Sequence, residues 1–316
     1  MLTRRIRAAS VAALVTVLAV SACGDGDSKS KATALDQTTV SGGSDTEAPK
    51  IEVKPTPLTV TETQTRVLKD GDGATVKGTE IVSLKYVLVN GKDGSQLDTN
   101  FGKQNLGLNL ADANLLPGLK KGLTNQKIGS RLLVAMPPKD AFGEKGNPQV
   151  KVGGQDTVVF LVDVLSATTP SKSAEGKPVT PPKDLPTVKV TEGKPATITI
   201  PKGQKPPAKT VGQLLIEGEG AEVKAGQRIR VTYTGALWKD GKNFDSSANS
   251  PEGYFETVIG QGQVISAWDT QLVGKKVGSR LLLVVPPKDG YGAAGSPPKI
   301  SGTDTLVFVV DILAAY

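Results

Sequence analysis

Residues 276–292 read KVGSRLLLVVPPKDGYG, and residues 127–143 repeat this stretch as KIGSRLLVAMPPKDAFG. Shorter matches accompany it at offsets of 147 to 149 residues: 92–94 with 239–241, and 158–163 with 306–311. A period of this length is far longer than that of a solenoid repeat. The 316-residue chain is therefore predicted to contain two copies of one domain in tandem.

Two polar segments set the predicted domain boundaries. Residues 23–50 are rich in Ser, Thr, Asp, Lys and Gly and contain no aromatic residue, so we expect a flexible stalk there. Residues 167–184 are rich in proline, which predicts a semi-extended linker. The two domains are then predicted at residues 51–166 and 185–316.

Residues 1–22 have the features of a secretory signal peptide. Arg4, Arg5 and Arg7 precede the apolar run 11–20, which is too short to span a bilayer comfortably. The sequence Val-Ser-Ala-Cys that ends at Cys23 resembles a bacterial lipobox, which implies a lipid on the Cys23 thiol. The alternative is an ordinary signal peptide followed by an incidental cysteine. The first interpretation predicts an extracytoplasmic lipoprotein anchored to the bacterial cell membrane.

Composition excludes several kinds of chemistry. The chain has no histidine and one cysteine, which excludes a Ser-His-Asp relay, a His-ligated metal and an intramolecular disulfide. We therefore expect neither a metal nor a cofactor. The formal net charge of +7 falls to +4 without Arg4, Arg5 and Arg7 (35 basic against 31 acidic residues), too little to predict nucleic-acid binding.

Apolar periodicity in the second copy predicts an α+β domain. Alternation in residues 228–237 and 305–313 predicts half-buried strands, and the apolar run 281–285 predicts a central strand. Residues 265–272 carry apolar side chains at positions i, i+3 and i+7, the spacing of one face of a short helix. Several antiparallel strands with one short helix across a face form an α+β domain.

Aromatic residues are concentrated in the second copy. Nine of the 13 lie in the last 89 residues: Tyr233, Trp238, Phe244, Tyr254, Phe255, Trp268, Tyr291, Phe308 and Tyr316. The first copy holds four: Tyr86, Phe101, Phe142 and Phe160. A cluster drawn from strand, helix and loops predicts an apolar recess in the second copy. The alternative is simply a better-packed core.

An ordered series of short motifs runs through about the last 90 residues. The motifs are VTYTG (231–235), DG (240–241), FDSS (244–247), GQGQVI (260–265), WD (268–269), VG (277–278), PP (286–287), YG (291–292) and LVF (306–308). In these motifs the second copy resembles the FKBP-type peptidyl-prolyl cis–trans isomerases, and the first copy is similar through its repeat. The resemblance implies two tandem FKBP-like domains of α+β class. Each would be a bent antiparallel β-sheet wrapped around a short α-helix, with an apolar cleft between them.

The resemblance also implies which residues form the cleft. Trp268 would be the floor. The walls would be Tyr233, Phe244, Phe255 and Phe308, and the rim Val264, Ile265 and Ile300. The backbone N–H of Ile265 and the hydroxyl of Tyr291 would bond the carbonyl groups of a substrate. Asp245 would pair with the Tyr233 hydroxyl and polarise a twisted amide, or would cap its own turn, and both roles are compatible.

The first copy departs from this pattern. It keeps Tyr86 and Asp98, but Leu97, Leu119 and Phe142 replace three pocket aromatics, including the hydroxyl donor. We therefore expect residues 51–166 to form a degenerate domain with little or no activity. In the second copy, Lys299 stands where an apolar residue is common in the family, so we expect altered peptide selectivity and macrolide affinity.

Two functions remain open at this point. Rotation about an X–Pro bond needs no metal or nucleophile, because a dry cleft favours the less polar twisted amide over the planar one. The resemblance thus implies an isomerase that assists the folding of exported proteins. Its partners would be proline-containing segments of unfolded exported proteins, with macrolides as inhibitors. The alternative is a non-catalytic chaperone, or a lipoprotein that binds a partner through the same cleft.

Overall fold

The structure, a computed structural model, describes residues 33–316. It begins with a hairpin of two short strands, β1 (Thr39–Ser41) and β2 (Lys50–Glu52). The other elements of the first domain are β3 (Gln64–Lys69), β4 (Ile81–Asn90), β5 (Gln96–Thr99), β6 (Leu106–Asn109), α1 (Pro117–Leu123), β7 (Arg131–Met136) and β8 (Val158–Thr168). Its antiparallel sheet has the order β3-β7-β8-β4-β5, and β6 also pairs with β4.

The second domain repeats this order of elements after one additional strand. Its elements are β9 (Gly176–Pro178), β10 (Thr187–Lys189), β11 (Thr197–Thr199), β12 (Val211–Gly218), β13 (Arg228–Leu237), β14 (Asn243–Ser246), β15 (Phe255–Val258), α2 (Ser266–Leu272), β16 (Arg280–Val285) and β17 (Leu306–Ala315). The sheet order is β14-β13-β17-β16-β12-β9, and β15 pairs with β13. The predicted tandem α+β fold is confirmed.

The central strands are apolar on both faces because both faces of each sheet are covered. In β16, Leu281 and Leu283 belong to the core that includes α2, whereas Leu282 packs in a second cluster on the opposite face. There the hairpin residue Ile198 and Trp238 lie in the same cluster as Leu282. Side chains alternate along a strand, so a sheet covered on both faces produces a continuous apolar run.

The flexible stalk predicted for residues 23–50 is wrong from Thr33 onward. Leu35 is 0 % exposed, and Ile51 of β2 packs in one cluster with Leu133 of the first sheet. The Arg66 Nη1 donates to the Leu35 carbonyl at 2.8 Å. The segment is polar in composition, but its few apolar residues cover a sheet face that supplies the rest of the core. The signal peptide (1–22), the Cys23 lipidation site and the first part of the stalk lie outside the described residues.

The linker predicted at residues 167–184 is also wrong. The Ser171 N–H donates to the Leu313 carbonyl at 3.1 Å, and the Ala174 N–H donates to Asp311 Oδ2 at 3.1 Å. β9 then pairs with β12 of the second sheet. This segment is therefore part of the second domain, held by backbone hydrogen bonds that amino-acid composition does not reveal.

The duplicated unit is larger than the repeated sequence indicates. β1 and β10 begin 148 residues apart, and β2 and β11 begin 147 residues apart. These offsets match those of the domain motifs, so a hairpin belongs to each copy. The domain boundary predicted at residue 51 is therefore too late. Among residues 33–316, no helix is long and apolar enough to cross a membrane.

Candidate active-site cleft

A cleft of about 500 Å³ lies between α2 and the sheet of the second domain. It is lined by Tyr233, Phe244, Asp245, Phe255, Gly262, Gln263, Val264, Ile265, Trp268, Gly290, Tyr291 and Phe308. Nine of the ten residues expected at the site are in this lining. The tenth, Ile300, is 5 % exposed and packs in the core behind the cleft residues. It supports the cleft and does not line it, in contrast to its predicted place on the rim.

Trp268 is held by aromatic rings on three sides. It is only 4 % exposed, and its ring makes edge-to-face contacts with Tyr233 at 5.4 Å, Phe308 at 5.6 Å and Phe255 at 6.3 Å between centroids. Phe244 in turn meets Phe308 edge-to-face at 5.6 Å. Such pairs restrict ring rotation and favour one arrangement. The cleft is therefore walled by rings that are already in place before a ligand enters.

Gly235 makes this arrangement possible, and the sequence analysis missed its role. It follows Tyr233 by two residues on β13 and lies opposite Phe308 of β17. A Cβ at this position would lie 2.5 Å from the Phe244 ring and 2.9 Å from the Phe308 ring. Any larger residue would displace both rings. The glycine of the VTYTG motif is therefore required by packing of the cleft walls.

The polar group of the floor residue is covered by the protein. The indole Nε1 of Trp268 is buried, and it has no hydrogen-bond partner in the described part of the chain. An unpaired buried donor is unfavourable by about 1–3 kcal/mol in typical proteins. Because this N–H is covered by the protein, it is not among the donors that the cleft offers to a ligand.

Asp245 is the acidic group of the cleft lining, and both interactions considered for it are present. The Tyr233 hydroxyl donates to its Oδ2 at 2.5 Å, and the backbone N–H of Ser246 donates to its Oδ1 at 2.9 Å. Burial, followed by the hydrogen bond to Asp245, holds the pKa of Tyr233 well above its ordinary value. Tyr233 is therefore a neutral donor that orients the carboxylate.

Two donors at the cleft remain free for a ligand. The hydroxyl of Tyr291 has no hydrogen-bond partner among the described residues, and neither has the backbone N–H of Ile265, which lies immediately before α2. Burial and, second, the charge of Asp245 raise the pKa of Tyr291, so its hydroxyl stays protonated at neutral pH. Both donors border the aromatic floor, where they could bond carbonyl oxygens of an extended peptide.

Asp269 holds the loop that leads to this N–H, and the sequence analysis did not predict its role. Its two carboxylate oxygens accept hydrogen bonds from the backbone N–H groups of Gly260 and Gly262, each at 2.6 Å. The loop continues through Val264 to Ile265. Asp269 is thus a positioning residue for the rim. In the WD motif, Trp268 forms the floor of the cleft and the adjacent Asp269 holds the rim loop in place.

The corresponding region of the first domain keeps the Tyr86–Asp98 pair and Phe160, the counterpart of Phe308, and differs at four other positions. The Tyr86 hydroxyl donates to Asp98 Oδ2 at 2.5 Å, as in the second domain. In the first domain Leu106 of β6 pairs with Leu84 of β4. In the second domain the equivalent pair is Phe255 of β15 with Val231 of β13, so Leu106 occupies the position of Phe255. This replacement was missed in the sequence analysis because β6 has little sequence similarity to β15. Together with Leu97, Leu119 and Phe142, it leaves a surface with fewer aromatic rings and without the hydroxyl donor.

Each domain has an antiparallel sheet packed on one short helix, and the second domain has an aromatic cleft with neutral hydrogen-bond donors. These features are those of the class of tandem FKBP-like proteins. The family model described as "FKBP-type peptidyl-prolyl cis-trans isomerase" matches residues 73–165 and 219–313. The chain belongs to this family.

Several curated proteins are similar to parts of the chain. The 39 kDa FK506-binding nuclear protein of Drosophila melanogaster is 38 % identical over 119 residues, 37 % of this chain and 33 % of that protein. The peptidyl-prolyl cis-trans isomerase FKBP9 of Mus musculus is 33 % identical over 199 residues, 63 % of this chain and 28 % of that protein. The FK506-binding protein of Streptomyces anulatus is 39 % identical over 113 residues, 35 % of this chain and 90 % of that protein. The chain therefore spans a third or less of the fly and mouse relatives.

Proposed function

We propose that the second domain catalyses cis–trans rotation about X–Pro bonds in unfolded polypeptides. The observation that carries this proposal is the combination of an aromatic floor at Trp268 with two unengaged donors at its edge, Ile265 N–H and Tyr291 hydroxyl. The floor would receive the proline ring, and the donors would hold the flanking carbonyl groups. No nucleophile, metal or proton shuttle is needed for this reaction.

The physical basis is the change in amide polarity during rotation. The planar amide has charge separated between oxygen and nitrogen, and this resonance gives the bond a barrier of about 20 kcal/mol. The charge separation falls in the twisted transition state, which an apolar cleft therefore favours over the planar ground state. Lowering the barrier by about 7 kcal/mol would accelerate rotation by roughly five orders of magnitude.

The first domain is proposed to be non-catalytic. Its cleft-equivalent surface has Leu106 and Leu119 where the second domain has Phe255 and Trp268, and Phe142 offers no hydroxyl. An apolar surface with fewer rings and no hydroxyl donor favours the second candidate function, the holding of unfolded chains without turnover. The two activities are compatible within one chain.

The proposed setting is outside the cytoplasm. Residues 1–22 as a signal peptide and a lipid on Cys23 would make the protein a membrane-anchored lipoprotein, with exported proteins as its clients. Mass spectrometry of the mature N-terminus tests this, and an unmodified N-terminus upstream of Cys23 would overturn it. Macrolide inhibition is proposed from the names of the relatives, two of which are FK506-binding proteins.

A protease-coupled assay with a proline-containing tetrapeptide tests the catalytic proposal on residues 33–316. We expect acceleration of cis-to-trans conversion and inhibition by FK506. No acceleration, together with suppressed aggregation of an unfolded protein, would instead favour the non-catalytic chaperone.

Lys299→Met is expected to raise the KM for proline peptides about threefold while kcat changes little. The Lys299 Nζ donates to the Phe244 carbonyl at 2.8 Å and thereby ties the loop after Tyr291 to β14. One such bond contributes about 1 kcal/mol. The control is Lys288→Met, because Lys288 is an exposed lysine in the same part of the chain. An equal KM for the wild type and both variants would contradict the prediction.

The pH dependence of kcat/KM is expected to be flat to about pH 10 and to fall only above it. Burial and the charge of Asp245 raise the pKa of Tyr291, so the donor hydroxyl loses its proton later than an ordinary tyrosine. A pH–rate profile with Tyr291→Phe as reference checks this. A decline of the wild-type profile below pH 9 that is absent in the variant would contradict it.

A further inference from the structure

The positive charge of the chain is concentrated in one segment of the second domain. Residues 183–209 contain six lysines and two acidic residues: Lys183, Lys189, Lys194, Lys202, Lys205 and Lys209, with Asp184 and Glu192. The resulting +4 equals the net charge of the whole chain without Arg4, Arg5 and Arg7. The rest of the mature sequence is therefore electrically balanced, and the excess is local.

The segment that carries these lysines is packed on the sheet of the second domain. The segment contains the hairpin β10–β11, whose inward residue Ile198 packs against Trp238 and Leu282 of the sheet. Lys189 is on the outward side of β10, because the strand alternates exposed, half-buried and exposed residues. All six lysines are exposed, and none forms an ion pair within residues 33–316.

The charge continues from the hairpin into the loop that follows it. Lys202 and Lys205 line one groove together with Thr199 of β11, and the same groove contains Asp240 and the ion pair of Lys239 with Asp304. The outward neighbours of Lys189 on the two strands are threonines, at positions 187, 197 and 199. The outward surface of the hairpin is therefore polar and basic, and Val190, 37 % exposed, is the exposed large hydrophobic residue of the segment.

The matching hairpin of the first domain has the opposite charge. Residues 35–61, at the same place in the duplicated unit, carry four acidic residues and two lysines: Asp36, Asp45, Glu47 and Glu52, with Lys50 and Lys54. One of these lysines, Lys54, is paired with Glu52 at 2.9 Å. Both hairpins form and cover a sheet face, so the fold does not require the basic charge of the second. The basic charge is therefore available for an interaction with a molecule outside the domain.

We propose that this lysine face, residues 183–209 with its outward hairpin surface, docks on the anionic phospholipid headgroups of a membrane. A basic surface with little exposed apolar area complements a negatively charged interface, and each lysine near an anionic bilayer adds to the attraction. Binding of this kind is reversible and is weakened by salt. A polybasic surface is the type of second signal that, with a single lipid anchor, makes attachment stable.

Vesicle sedimentation tests this proposal on residues 33–316, which lack the N-terminal segment and any lipid. The probes are phosphatidylcholine vesicles with and without phosphatidylglycerol. The test variant is Lys189→Glu/Lys202→Glu/Lys205→Glu. The matched control is Lys50→Glu/Lys54→Glu/Lys92→Glu, which makes the same change of charge on the first domain.

We expect the protein to bind only the vesicles that contain phosphatidylglycerol, with an affinity that decreases as the salt concentration is raised. The affinity should fall at least about tenfold in the test variant and less than about threefold in the control. Absence of binding to either vesicle, binding independent of phosphatidylglycerol, or an equal loss in both variants would overturn the proposal. Circular dichroism establishes that both variants are folded. Peptide isomerisation is measured alongside, and because these lysines are away from the cleft, its result bears only on the proposed activity.

Discussion

A chain carrying Trp268→Leu and Tyr291→Phe is expected to lose about 100-fold in kcat/KM for a proline tetrapeptide. These substitutions introduce the side-chain types that the first domain has at the same positions, Leu119 and Phe142. Leucine removes the flat floor that three aromatic rings now hold in place. Phenylalanine removes the hydroxyl donor and keeps the ring. The loss follows because both changes weaken contacts to the twisted amide.

The measurement needs the two single variants and a control in the first domain. Tyr291→Phe changes a partly exposed side chain and should lower kcat/KM without lowering stability. Phe142→Leu, the control, should leave turnover within about twofold of the wild type if the first domain is non-catalytic. Retention of more than about a third of wild-type kcat/KM by the folded double variant would refute the assignment of the cleft.

The strands and the cleft could be predicted because their signals are local. The run 281–285 is apolar over its whole length, and the apolar spacing around Trp268 indicates a helix face whatever the rest of the chain does. The cleft residues lie within short motifs whose order along the chain is itself informative. These features need no knowledge of which segments meet in space.

What the sequence analysis missed depends on contacts between distant segments. The hairpins β1–β2 and β10–β11 have strands of only three residues, and their apolar side chains form a core only with a sheet that follows later in the chain. Gly235 is needed because rings from β14 and β17 converge on it. Asp269 acts on backbone groups seven and nine residues earlier. None of these relations has a periodic or compositional signature.

Asp311→Ala is expected to lower the free energy of unfolding of the second domain by about 3–5 kcal/mol. The Asp311 carboxylate accepts hydrogen bonds from Arg280 Nε and Nη2 at 2.7 Å each and from the Ala174 N–H at 3.1 Å. The two side chains are only 5 % and 17 % exposed, so the variant leaves a largely buried guanidinium without its partner. It also releases the segment that leads from the first domain into β9.

The first domain supplies a matched comparison. Arg131 and Asp163 form the same two-point pair at 2.6 and 2.7 Å, but their side chains are 32 % and 20 % exposed. Solvent screens that pair, so Asp163→Ala should lower the free energy of unfolding of the first domain by only about 1–2 kcal/mol. Tryptophan fluorescence in urea follows the second domain alone, since both tryptophans of the chain, Trp238 and Trp268, belong to it, and far-UV circular dichroism, which reports both sheets, adds the first.

The decisive variant removes both charges of the buried pair. The stability loss in Asp311→Ala could come from the buried guanidinium of Arg280 that is left without a partner. In that case Arg280→Met/Asp311→Leu should recover most of the lost free energy of unfolding, because two apolar side chains leave no buried charge. If the loss comes instead from the Ala174 N–H and the released segment, the double variant should be as unstable as the single one. Tryptophan fluorescence in urea separates these outcomes. A shift below about 1 kcal/mol in Asp311→Ala would show that neither contact contributes much to the stability of the domain.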